Sequence, residues 1–108
     1  MDISKMQIIN KMTDLLALNL KPKRIILFGS YASGNAKADS DVDFLLIMAN
    51  GTHRRDTTVK AYQVLGSQGI AKDIVVVTEG DVEKFGSLSG SIIRPAISHG
   101  KVVYEQAA

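Results

Sequence analysis

Three aspartates carry the clearest chemical signal in this sequence. Asp41 and Asp43 flank Val42 at the head of the apolar run VDFLLIM, residues 42–48. Side chains two apart on a strand project to the same face, so both carboxylates would leave it together. Like charges a few Å apart repel by roughly 1 kcal/mol in water and by about 4 kcal/mol at an intermediate effective dielectric. A cation between them relieves that repulsion. Hard oxygen ligands select Mg2+ or Mn2+, and Mg2+ takes one or two carboxylates together with substrate phosphates. The alternative is that both point to water at an exposed strand end. Asp73 is the third member. It interrupts the apolar run IAKDIVVVT, residues 70–78, where a lone buried carboxylate would be costly. If that run lies beside residues 42–48, Asp73 joins the same face. Three carboxylates could then bind two metal ions that clamp the attacking and leaving oxygens of an in-line phosphoryl displacement. For Asp73 the alternative is a strand end capped by solvent or by Lys72.

A second signal precedes the pair. Gly29 ends the run RIILF, residues 24–28, with no Cβ, so the backbone can turn sharply there and approach a ligand closely. Ser30 follows with a hydroxyl and a backbone N–H at a helix start, where unpaired N–H groups favour anions such as phosphate. Gly-Ser is also common in ordinary turns, so this pair alone decides nothing.

The elements that must position these residues follow from local pattern. Residues 4–18 predict a helix: Ile8, Ile9, Met12, Leu15 and Leu16 keep the helical period, Ser4 with Gln7 fits a capping box, and Lys21-Pro22 ends it. Residues 24–28 predict a buried strand and residues 30–36 a short helix or turn closed by Gly34-Asn35. Residues 42–48 predict a second strand, stopped by Asn50-Gly51. A weaker amphipathic helix is expected over residues 52–68, with Val59, Tyr62 and Leu65 on one face. Residues 70–78 predict a third strand, which the valine run places at the centre of the sheet. A helical turn at residues 81–85, a helix over residues 91–98 with Pro95 in its first turn, and a last strand at residues 102–104 complete the order. The expected fold class is α/β (α+β): a small sheet with helices packed against it.

Composition bounds the rest. The chain has 108 residues, which predicts one domain over 1–108 with one modest core. A formal charge of +2 gives no footprint for binding duplex nucleic acid. Without cysteine there is neither a disulfide nor a thiolate ligand, so oxygen or imidazole must hold any metal. The N-terminal residues lack the apolar stretch of a secretory signal, and no apolar run reaches the length of a membrane span, so a soluble cytoplasmic domain is expected. Of the remaining polar and aromatic residues, His53, Arg54 and Arg55 read as a solvated helix start, and His99 as a cation suited to a helix end. Tyr31 and Tyr62 could stack on a base, although Tyr62 reads better as core. Met6, Met12 and Met48 read as core fillers.

Taken together, Gly29-Ser30, the ten residues from Tyr31 to Ser40, Asp41-Val42-Asp43 and the later Asp73 resemble the nucleotidyltransferases of the DNA polymerase β superfamily, in particular the small minimal nucleotidyltransferases. The stretches at residues 72–78 and 100–105 are similar to that group as well. The resemblance implies a nucleotidyltransferase fold on a small mixed β-sheet, ATP as substrate and two Mg2+ ions, with Mn2+ as a substitute. It implies that Asp41, Asp43 and Asp73 are the catalytic and metal-binding residues and that Gly29, Ser30 and Ser40 contact the nucleotide. Asp73 would also orient or deprotonate the acceptor hydroxyl. Members of this group are frequently antitoxins paired with a helical HEPN-domain toxin, which implies transfer of AMP to a tyrosine of that partner. The alternative is an antitoxin that neutralises its partner by binding alone. One position departs from the pattern: Ser33 stands where the group often has Arg.

Overall fold

The computed structural model describes residues 3–37, 40–86, 91 and 93–107. Among these, four strands and five helices follow one another as α1 (Ile3–Leu20), β1 (Arg24–Phe28), α2 (Ser30–Ser33), β2 (Val42–Met48), α3 (Arg54–Leu65), β3 (Lys72–Thr78), α4 (Glu79–Phe85), α5 (Ile93–His99) and β4 (Lys101–Glu105). The expected order holds throughout. Ser4 falls inside α1 rather than at its cap. At the other end, Lys21 takes a left-handed conformation (φ 51°) before the buried Pro22, which satisfies proline's exclusion of the helical region in the preceding residue. Pro95 sits in the first turn of α5, where its missing N–H costs no helical bond. Ile92, within the expected helix over 91–98, lies outside the described residues.

The strands form one mixed sheet in the order β3-β2-β1-β4. β1 pairs antiparallel with both β2 and β4, while β2 and β3 run parallel, connected through α3. Alternation along the strands splits the core in two. Ile25, Leu27, Val42, Phe44, Leu46, Ile74 and Val76 face α1 and α3, where Ile9, Met12, Leu16, Ala61 and Leu65 meet them. Ile26, Leu45, Ile47 and Val77 face the other way, onto Ile93 and Ala96 of α5. β2 is covered on both faces, and its residues 44–48 are all buried. Each such side chain contributes about 1.5–3 kcal/mol, which anchors the strand that carries Asp43.

Four expectations are corrected here. β3 is an edge strand, not a central one. Its apolar run reflects helices on both faces, α3 on one side and α4 on the other, and not a strand on each side. The inward stripe of α3 is Ala61 and Leu65; Val59 is 51% exposed and Tyr62 37%. A small residue at 61 lets α3 come down close, and that rotates the larger Val59 and Tyr62 outward. Met12 and Met48 are buried as core fillers, but Met6 is 46% exposed. Tyr31 is 1% exposed within the α1-side core, so it cannot stack on a bound base.

Candidate active site

Asp43 and Asp73 are direct partners across the parallel β2–β3 pair, each the second residue of its strand. Alternation places both on the face that carries Leu45, Ile47, Val75 and Val77. Asp41 stands two residues before Asp43, just ahead of the strand. The tertiary pairing thus brings together the three carboxylates that the sequence spread over 33 positions, from 41 to 73.

Asp43 sits deepest. Its carboxyl is pushed above the usual carboxylate range, first by partial burial, then by the charges of Asp73 and Asp41. Among the described residues no Lys, Arg or His forms an ion pair with any of the three. Among the described residues these like charges thus stand together without an ion-pair partner, and carboxylate oxygens are the donors a hard divalent ion prefers. Among the described residues no three His, Cys, Asp or Glu side chains stand as a group that could hold a metal ion by themselves. An open arrangement suits Mg2+, which keeps water and phosphate oxygens among its ligands and relies on few carboxylates.

Gly29 forms the third wall. Phe28 pairs with Asp43 across β1 and β2, which puts Gly29 beside that carboxylate. A Cβ on Gly29 would overlap the Asp43 carboxyl group. Its backbone, at φ 76° and ψ −152°, also lies in a region that only glycine populates readily. The backbone conformation favours glycine here, and a Cβ would in addition displace the Asp43 carboxyl group. From Gly29 the chain enters α2: the Gly29 carbonyl accepts from Ala32 N and Ser33 N, each at 3.1 Å, and Gly34 closes the turn in the left-handed region. Ser30 is half-buried at the head of that turn. Ser40 closes the following loop, its Oγ accepting from Lys37 N at 2.7 Å, and so sets the approach to Asp41. Ser33 Oγ turns back to the Ser30 carbonyl at 3.2 Å, a helix-turn contact that brings no charge.

Sequence reasoning weighed Tyr62 as a base-stacking or core residue and missed its contact with Asp73. Its hydroxyl accepts from the backbone N–H of Ile74 at 3.0 Å and donates to Asp73 Oδ1 at 3.4 Å. The available signal was its placement two turns into a helix that must cross β3, but only the docking of α3 turns the ring toward that edge. The basic cluster resolves as structural: His53 caps α3 by accepting from Asp56 N, and Arg54 pairs with Asp81 at 3.2 Å. His99 occupies the last turn of α5. A groove of about 160 Å3 between α1 and β4, lined in part by Met6, Leu27 and Tyr31, opens on the α1 side of the sheet, away from the carboxylates. No helix of the described residues is long and apolar enough to cross a membrane.

Comparison with known proteins gives a family and a fold. Residues 10–108 match the family model of the polymerase beta nucleotidyltransferases. A search of curated proteins found no match. Among solved structures, the chain is similar to a Sulfolobus solfataricus protein assigned as a nucleotidyltransferase, at 14% identity and a TM-score of 0.65 over 93% of this chain and 79% of that one. It is also similar to a toxin–antitoxin solved with AMP-PNP, at 22% identity and a TM-score of 0.56 over 90% of this chain and 73% of that one. A mutant of the toxin–antitoxin MntA–HpeT is a further likeness, at 23% identity and a TM-score of 0.58 over the same shares, 90% and 73%. At these identities the three structures establish a shared fold.

Proposed function

The chain belongs to the polymerase beta nucleotidyltransferase family, and from that premise we propose that it transfers AMP from ATP to a hydroxyl of a partner protein, a tyrosine of a helical HEPN-domain toxin, and thereby acts as an antitoxin. The observation that carries this reading is the pairing of Asp43 with Asp73, with Asp41 beside them, no cationic side chain paired to them among the described residues, and a Cβ-free backbone at Gly29 against them. The likeness of the fold to toxin–antitoxin structures, one of them solved with AMP-PNP, supports the partner and the nucleotide.

In this reading Asp41, Asp43 and Asp73 hold two Mg2+ ions, for which Mn2+ can substitute; these would neutralise the triphosphate and stabilise the charge that develops on its oxygens. The chain's own groups do the rest. Gly29 and Ser30 let the triphosphate approach the backbone closely, and Ser40 borders the nucleotide from the loop before Asp41. Asp73 orients the acceptor hydroxyl and takes its proton. The acceptor oxygen forms a bond to the α-phosphorus, the bond from that phosphorus to the bridging oxygen breaks, and pyrophosphate leaves.

Incubation of the protein with its partner, Mg2+ and ATP labelled at either the α or the γ position tests this directly. Label from the α position alone, on the partner and absent with Asp41→Asn, is the expected result. Transfer retained by a folded Asp41→Asn protein would sink the reading. A second reading draws on Ser33: with no guanidinium at that position, the domain would neutralise its partner by binding alone. In that case Asp41→Asn neutralises the toxin as well as wild type does.

A further inference from the structure

The open edge of β3 brings a hydroxyl to the rim of the carboxylate site. An edge strand leaves every second N–H without a strand partner. At Ile74 that donor is met by Tyr62 Oη at 3.0 Å, from α3. A phenol has one proton to give, and with Ile74 as its donor the proton is free for another acceptor. The acceptor in reach is Asp73 Oδ1 at 3.4 Å, longer than the about 2.7–2.8 Å of a strong hydroxyl bond. Catalytic hydrogen bonds are often long in ligand-free structures and tighten when the ligand arrives. The ring is 37% exposed, so Tyr62 is not one of the buried core residues of α3.

We propose that Tyr62 is a positioning residue for Asp73: its hydroxyl, anchored on the Ile74 N–H, holds one oxygen of that carboxylate and leaves the other for the metal–triphosphate and the acceptor hydroxyl. This rests on the nucleotidyl-transfer reading above. Asp73 stands at the edge of the sheet and is exposed, so without a tether its carboxylate would sample several rotamers, whereas Asp43 is partly buried on a strand with neighbours on both sides. Outer partners that orient a ligating carboxylate are typically worth about 10–100-fold in metal affinity or activity.

The test uses Tyr62→Phe, which keeps the ring and removes the hydroxyl, alone and combined with Asp73→Asn. Binding of AMP-PNP is followed by calorimetry as Mn2+ is raised, beside thermal melting and intact mass. Tyr62→Phe is expected to raise the Mn2+ needed for half-maximal binding about tenfold, and to change nothing when Asp73 is already Asn. Wild-type Mn2+ dependence in Tyr62→Phe overturns the inference and leaves the transfer reading standing. A shift of equal size in both backgrounds, with a matching fall in melting temperature, overturns it in favour of a mere edge cap. A nucleotide found on Tyr62 overturns it in favour of an acceptor. No Mn2+-dependent AMP-PNP binding by wild type removes the transfer reading and this inference with it.

Discussion

The two ends of β3 meet carboxylates that are built on opposite plans. At its start, Asp73 faces Asp43 and Asp41 with no basic side chain paired to them among the described residues, and the group at the centre is pushed toward its neutral form. At its end, Asp81 closes a capping box with Thr78, accepting from Thr78 N at 2.9 Å while its own N–H donates to Thr78 Oγ1 at 3.2 Å. Arg54 reaches the same carboxylate. The Thr78 N–H is the largest cause holding Asp81 below the usual carboxylate range; the Thr78 hydroxyl and the Arg54 and Lys84 charges add to it. A carboxylate that serves the fold is thus surrounded by donors. On the nucleotidyl-transfer reading, the other group serves chemistry and is left for a ligand to complete.

That contrast breaks most sharply at Asp43. Asp43→Asn is expected to lower transfer at least about a thousandfold, the loss of several kcal/mol of charge stabilisation. It should leave the melting temperature unchanged or higher, because it removes a repulsion. A raised carboxylate weakens the folded state above its folded-state pKa, and the penalty fades as pH falls below the ordinary value. Any stability gained by Asp43→Asn should therefore be present at neutral pH and vanish in acid. A clear fall in stability at neutral pH would mean that Asp43 is a structural group.

Gly29→Ala comes next, since it loads both strain and overlap onto the same carboxylate. Urea denaturation should show a loss of about 1–3 kcal/mol. Displacement of Asp43 should lower transfer about a hundredfold, the usual consequence of a misplacement near 1 Å. An alanine variant with wild-type transfer would show that the turn tolerates a Cβ and that Gly29 does not shape the site.

The smallest effect belongs to the other end. Asp81→Ala should lower stability by up to about 1 kcal/mol through loss of the carboxylate half of the capping box, with transfer unchanged. Here the sign reverses. A lowered carboxylate stabilises the fold above its unfolded-state pKa, and that contribution is lost as pH falls through its folded-state value. The wild-type advantage over Asp81→Ala, read by urea denaturation, should persist at neutral pH and shrink in acid. A change in transfer with stability intact would move Asp81 into the site and erase the contrast.

Much of this molecule is written locally. The bounds of β1 and β2 follow from short apolar runs stopped by Gly29 and preceded by Asp41, and the element order follows from period and turn residues. Gly29-Ser30 with Asp41 and Asp43 can be read because one turn and one strand bring them close, whatever the rest of the chain does. Asp73 could be suspected, as a charge within an apolar strand, but its place opposite Asp43 depended on a register between strands about thirty residues apart. Side-chain pattern reports which faces of a strand are buried and is silent on which strand lies beside it, so the valine run of β3 could not tell an edge from a centre. For the same reason Tyr62 read as core: its period on α3 is helical, and only the packing of Ala61 and Leu65 against the sheet decided which way the ring turned. Local sequence thus determined the elements and the Gly-Ser and Asp-Val-Asp pairs. Tertiary structure alone decided the third carboxylate's neighbours, the open edge and the tyrosine that bridges them, because lateral strand order and helix rotation come from long-range packing that no short window of residues encodes.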